Sequence, residues 1–124
     1  MIDRQWTQIG YVAVDSGQLL LCDPRYIGSE WEHDIDFNME KPSMMLSYNG
    51  CCHASLSKKG YGELRFPLEL PGAGICFHSG IGDGLYPIYA KFDGVRIAEI
   101  KVVMLPHPVL GAQEEAFAHL QKGE

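Results

Sequence analysis

The sequence predicts an all-β protein, an antiparallel β-sandwich or flattened barrel of roughly seven or eight strands with a short C-terminal helix. Fourteen glycines and seven prolines cut the 124 residues into short apolar pieces, at about the 8–12-residue spacing of antiparallel sheet proteins. Two dipeptides, Asn49-Gly50 and Asp93-Gly94, lie between apolar runs, where such pairs favour two-residue hairpins. No repeat, low-complexity run or linker interrupts the chain, so residues 1–124 read as a single sandwich-like domain.

The first strand is expected over Gln8–Val14, followed by a tight Asp15-Ser16-Gly17 connection in which glycine supplies positive φ. The second, Gln18–Asp23, is stopped by Pro24, which cannot donate to a ladder. Arg25–Pro42 is polar and acidic and reads as a long loop with room for one short helix. Met44–Tyr48 and Cys51–Leu56 flank Asn49-Gly50 as a hairpin, pairing Tyr48 with Cys51 and Leu46 with His53. Further strands follow over Tyr61–Pro67 and Ala73–Ser79, and Gly80–Gly84 is too rich in glycine to be anything but a shaped loop. Leu85–Phe92 and Val95–Met104 form the second hairpin, pairing Phe92 with Val95 and Ala90 with Ile97. Its apolar phase flips near Ala98-Glu99, so either a β-bulge lies there or the far half is buried on both sides; the bulge is favoured, since Glu99 would otherwise sit on the core side. After Pro106 and Pro108, Ala112–Gln121 reads as a short helix with Glu114 and Glu115 in its first turn.

Ten basic against sixteen acidic residues leave a net charge of -6. That balance repels phosphate backbones and anionic lipid, so neither nucleic acid nor a membrane surface is an expected partner. No stretch is long and apolar enough for a membrane span, and Met1–Trp6 lacks the features of a signal peptide. The expectation is therefore a cytoplasmic protein whose four cysteines, Cys22, Cys51, Cys52 and Cys76, are reduced.

Two segments, Val14-Asp15-Ser16-Gly17-Gln18-Leu19-Leu20-Leu21-Cys22-Asp23-Pro24 and Gly82-Asp83-Gly84-Leu85-Tyr86-Pro87-Ile88-Tyr89, carry a resemblance. The chain resembles an uncharacterised family of small bacterial and phage proteins, a domain of unknown function. Its pattern runs D-S/A-G, an apolar stretch, D-P, and much later G-D-G-x-Y-P-V-Y. The resemblance covers about a third of the chain and implies an all-β fold without an assigned activity. Cys22 stands where that pattern has a small residue such as glycine.

Three groups of residues are candidates for chemistry. In the glycine loop, Asp83, Gly84 and Tyr86, with Asp23 from the end of the second strand, would form a ligand site; the competing reading is a backbone device in which glycines turn and Asp caps. Should Asp23 and Asp83 converge, the two carboxylates would make a cation or proton-transfer site. Cys51-x-His53 and Cys76-x-His78 place thiol and imidazole on one face of each expected strand, about 6.6–6.8 Å apart. Facing each other, they would hold zinc as a Cys2His2 set; the competing reading is buried cysteines that need no cofactor. The acidic 30–40 loop carries Trp31 and Phe37, which either mark a protein-docking surface or pin the loop to the sheet. An exposed edge strand would also permit a homo-oligomer. The favoured function is a non-enzymatic binding or structural module; the alternative is a small metal-dependent or acid/base enzyme using one of these clusters.

Overall fold

The computed structural model describes residues 2–33 and 36–104. The expected helix over Ala112–Gln121 lies outside the described residues. Within them, six strands form two antiparallel three-stranded sheets, and neither sheet closes on itself. The chain divides into two compact units: one holds the described residues up to Ser16 and from Gly80 onward, the other spans Gly17–Ser79.

The first unit is the sheet β1(Thr7–Val14), β5(Gly84–Asp93), β6(Arg96–Val102), with β5 in the middle. Tyr86, Pro87 and Ala90 of β5 are fully buried, with Val14 and Leu85 beside them. The β5–β6 hairpin forms as the Asp-Gly signal predicts, but its register differs from the expected one. Asp93 pairs with Arg96 and Phe92 with Ile97, so Gly94 and Val95 are the two turn residues. Gly94 takes φ +63 at the first turn position, where glycine is the residue that pays no steric penalty. Asp93 is thereby left in the ladder. The expected bulge is present: Phe92 pairs with Ile97 but Lys91 with Glu99, leaving Ala98 as the extra residue. Beyond it Ala90 faces Ile100, not Ile97.

The second unit is the sheet β2(Gln18–Leu21), β4(Pro71–His78), β3(Tyr61–Arg65), with β4 central, and two helices. Helix α1(Pro24–Ser29) opens the long acidic segment, which is expected to have room for one short helix. Its N-cap is Asp23, whose carboxylate accepts the Arg25 N–H at 2.9 Å, and Pro24 fills the first helical position.

The second helix, α2(Tyr48–Ser55), replaces the expected Asn49-Gly50 hairpin. Ser47 caps it, accepting the Gly50 N–H at 2.9 Å. Gly50 is required here for a different reason from a turn. A Cβ at this position would collide with the Met45 carbonyl oxygen, so glycine admits the incoming strand of chain against the helix. The Met44–Tyr48 segment makes no ladder; it touches the sheet through a parallel bridge between Met45 and Arg65. The pairings Tyr48–Cys51 and Leu46–His53 do not exist, because all but Leu46 lie within one helix.

The core of this unit is Leu46, Cys51, Ala54, Leu64, Ala73 and Cys76, flanked by half-buried Leu20, Tyr26, Trp31 and Phe66. The rings of Tyr26 and Phe66 meet edge to face at 4.8 Å. Ala73 and Cys76 share the core despite being three residues apart, since the β3–β4 register slips between Leu64 and Arg65. No helix among the described residues is long and apolar enough to cross a membrane.

Candidate functional site: a cleft and a thiol cluster on opposite sides of α2

Helix α2 separates two groups that the sequence reading placed together. On a strand, Cys51 and His53 would share a face; on a helix, residues two apart diverge by about 200°. Cys51 and Cys52 accordingly turn into the unit's interior, while His53 turns toward the loop around Asn38. His53 Nε2 lies 2.8 Å from the Asn38 carbonyl, and its ring meets Phe37 at a centroid distance of 5.3 Å. A ring nitrogen facing a carbonyl must carry the proton, so Nε2 donates.

One turn earlier on the same face, Asn49 is buried and uses both ends of its amide. Its oxygen accepts the Asn38 N–H at 2.8 Å and its nitrogen donates to the Lys41 carbonyl at 3.0 Å. The acidic segment is thus pinned to α2, and its aromatic residues serve as staples. Trp31 packs on the core and Phe37 packs on His53.

Beside His53 opens a cleft of about 560 Å³, lined by Pro42, Ser43, Met44, Met45, His53, Arg65 and Glu69. One wall is the chain 42–45, fixed by the Arg65 N–H donating to the Met44 carbonyl at 2.6 Å. The opposite wall is the turn after β3, closed by the Phe66 N–H bonding the Leu70 carbonyl at 2.9 Å. In that turn Leu68 and Glu69 both adopt left-handed backbone, φ 65 and φ 60, each costing about 1–2 kcal/mol for a non-glycine residue. The strain brings little local return. Leu68 is 92% exposed, and Glu69 meets Arg65 only at 3.9 Å across solvent, a geometry worth well under about 1 kcal/mol.

The other side of α2 carries the thiols. The Cys51 thiol donates to the Cys76 sulfur on β4, and this bond together with burial pushes Cys51 far above the ordinary thiol range. The same bond pulls Cys76 down, against its own burial. The Gln18 amide bridges the neighbours. Its oxygen accepts from Cys76 Sγ at 3.4 Å and Ser55 Oγ at 2.7 Å, and its nitrogen donates to Cys52 Sγ at 3.6 Å. The Tyr48 hydroxyl bonds Cys52, which raises its own ionisation range. Cys22 is half-buried and raised by burial and by the adjacent Asp23.

The four residues read as a zinc set are therefore divided. Cys51 and Cys76 meet, His53 faces the cleft, and His78 is exposed at the end of β4 while Cys76 is buried. Among the described residues no group of three or more His, Cys, Asp and Glu side chains is arranged to hold a metal ion. Asp23 belongs to the second unit as a helix cap, and Asp83 to the first, in the loop before β5. Tyr86, fully buried, donates its hydroxyl to the Gly82 carbonyl at 2.6 Å. That bond ties down a loop whose Gly80 and Gly82 take φ 85 and φ 99. Gly84 pairs with Val14 as the first residue of β5.

The cleft itself escaped the sequence reading. Its one legible signal was Ser47, three residues before Gly50, an N-cap that outweighs Asn-Gly. Comparison of the chain with protein-family models, with curated proteins and with solved structures finds no significant match in any of the three.

Proposed function

We propose that the protein is a non-enzymatic binding module whose ligand sits in the cleft between residues 42–45, His53 and the Arg65–Glu69 turn. The observation that carries this reading is the strained turn at the cleft wall. Two successive non-glycine residues are held left-handed where no packing rewards it, and such strain persists where it positions groups for contact. The groups so positioned are Arg65 and Glu69.

The lining sets the ligand class. Met44, Met45 and Pro42 supply an adaptable apolar wall, and Arg65 supplies a guanidinium with most of its donors uncommitted. An apolar molecule ending in a carboxylate matches both, the carboxylate bridging to Arg65. The buried thiols do not line the cleft, which separates the nucleophiles of this unit from its ligand surface.

Titration of the labelled protein with hexanoate, followed by amide chemical shifts, tests the proposal. Saturable shifts confined to residues 42–45, 53 and 65–69 are expected, with hexanamide binding at least about tenfold more weakly. Arg65→Ala should weaken hexanoate to the level of the amide. Equal responses to acid and amide, or shifts scattered over both units, would reject it.

A further inference from the structure

The cleft leaves the Cys51–Cys76 contact unexplained. Cys51 sits on α2 and Cys76 on β4, and both are buried. Their meeting depends on the helix lying very close to the sheet, and the residue that permits this is Gly62. It is the ladder partner of Cys76 on β3. A Cβ at Gly62 would come within 2.9 Å of the Ala54 Cβ and 3.0 Å of the Met44 Cε. Glycine at this one position lowers α2 onto the strand beside Cys76, and Cys51 and Cys76 pack in one buried cluster. Cys52, next in sequence, has its sulfur on the Gln18 amide nitrogen at 3.6 Å.

We propose that Cys51 and Cys76 are a dithiol–disulfide couple, closed by hydrogen peroxide, that covalently fixes α2 to β4. Peroxide is the oxidant class that suits the site, being close to water in size where a bulky disulfide would not enter. The Cys76 thiolate attacks one peroxide oxygen and the O–O bond breaks. Cys76 becomes a sulfenic acid, and the departing hydroxide takes up the proton released on forming the thiolate, leaving as water. Cys51 sulfur then attacks the Cys76 sulfur, the S–O bond breaks, and the Cys51 proton leaves with hydroxide as a second water. Two thiols and one peroxide yield one disulfide and two waters. The hydrogen bond from Cys51 favours Cys76 as the thiolate, and it sets the resolving sulfur beside the oxidised one before reaction.

The test treats the full-length protein with hydrogen peroxide, alkylates it under denaturing conditions and maps peptides by mass. Met39, 74% exposed, reports the oxidant dose through its sulfoxide. The expected product has lost two hydrogens and joins Cys51 to Cys76, with Cys22 and Cys52 alkylated, and a phosphine reductant restores the thiols. In Cys51→Ser, Cys76 should instead stop at a sulfenic acid trapped by dimedone. Cys52→Ser, which keeps the pair, should close as the wild type does, so the test stands if Cys51→Ser does not fold. Complete Met39 sulfoxidation with Cys51 and Cys76 both still alkylated would overturn the proposal. So would a disulfide involving Cys22 or Cys52.

Discussion

Asn49 and His53, one turn apart on α2, grip the two ends of a single backbone residue. Asn49 accepts the Asn38 N–H at 2.8 Å and His53 Nε2 donates to the Asn38 carbonyl at 2.8 Å. Residues four apart on a helix lie on one face, so this spacing converts α2 into a clamp for the acidic segment. It also fixes the His53 ring at the cleft. A strand could not have done this, since residues 49 and 53 would then lie about 13 Å apart.

Asn49→Ala should be among the most destabilising polar substitutions in the second unit. It orphans the Asn38 N–H and the Lys41 carbonyl in a part-buried setting. A loss of about 1–3 kcal/mol is expected in urea unfolding, with faster hydrogen exchange at Asn38. An unchanged midpoint would show that water replaces the amide at no cost.

Gly50→Ala separates the helix from the hairpin reading. In an open helix this change adds about 1 kcal/mol of stability. Here the new methyl meets the Met45 carbonyl oxygen, so a loss of roughly 1–3 kcal/mol is expected. A stabilised variant would contradict the close approach.

Leu68→Gly should raise stability. The side chain is 92% exposed and contributes little packing, while its φ of 65 is strained. Relief of about 1–2 kcal/mol, less the roughly 0.4–1 kcal/mol entropy cost of glycine in the unfolded chain, leaves a gain of up to about 1.6 kcal/mol. Differential scanning calorimetry would measure it, and a lower midpoint would mean that Leu68 is not strained.

Tyr86→Phe removes the bond to the Gly82 carbonyl while keeping the buried ring. A loss of about 0.5–1.5 kcal/mol is expected, with exchange rising at the amides of Gly80–Gly84 and unchanged in the centre of β5. Uniform exchange across the first unit would assign the hydroxyl no role in holding the loop.

Alkaline pH should weaken the second unit through Cys51. Its thiol is raised in the folded state by the bond to Cys76 and by burial, from an ordinary value of 9.0. Above about pH 9 the unfolded chain therefore gives up this proton while the folded one keeps it. The folded state then binds more protons, and stability falls as pH rises. Cys76, lowered by the same bond, works in the opposite direction but is shifted against its own burial. Urea midpoints between pH 7 and pH 10 should decline in the wild type and decline less in the Cys51→Ala/Cys76→Ala double variant, since Cys51→Ala alone would leave burial to raise Cys76.

The sequence by itself determined the strands at the two ends of the described chain and the existence of the β5–β6 hairpin, bulge included, though its turn falls one residue on, at Gly94-Val95. Those features rest on alternation and turn chemistry, which act between residues near in sequence. It also determined that Asp23-Pro24 ends a strand, though the same dipeptide starts α1 as cap and first residue. Tertiary structure decided the centre. Tyr48–Ser55 is built of small or polar residues with six of eight buried, so no apolar stripe announces a helix, and local propensity was left to an Asn-Gly pair that points to a turn. What overrode it was the Ser47 cap together with a space that only glycine admits at positions 50 and 62. The helix in turn parted His53 from Cys51 and joined Cys51 to Cys76, because a period of 3.6 sends alternate residues to opposite sides where a period of 2 keeps them together.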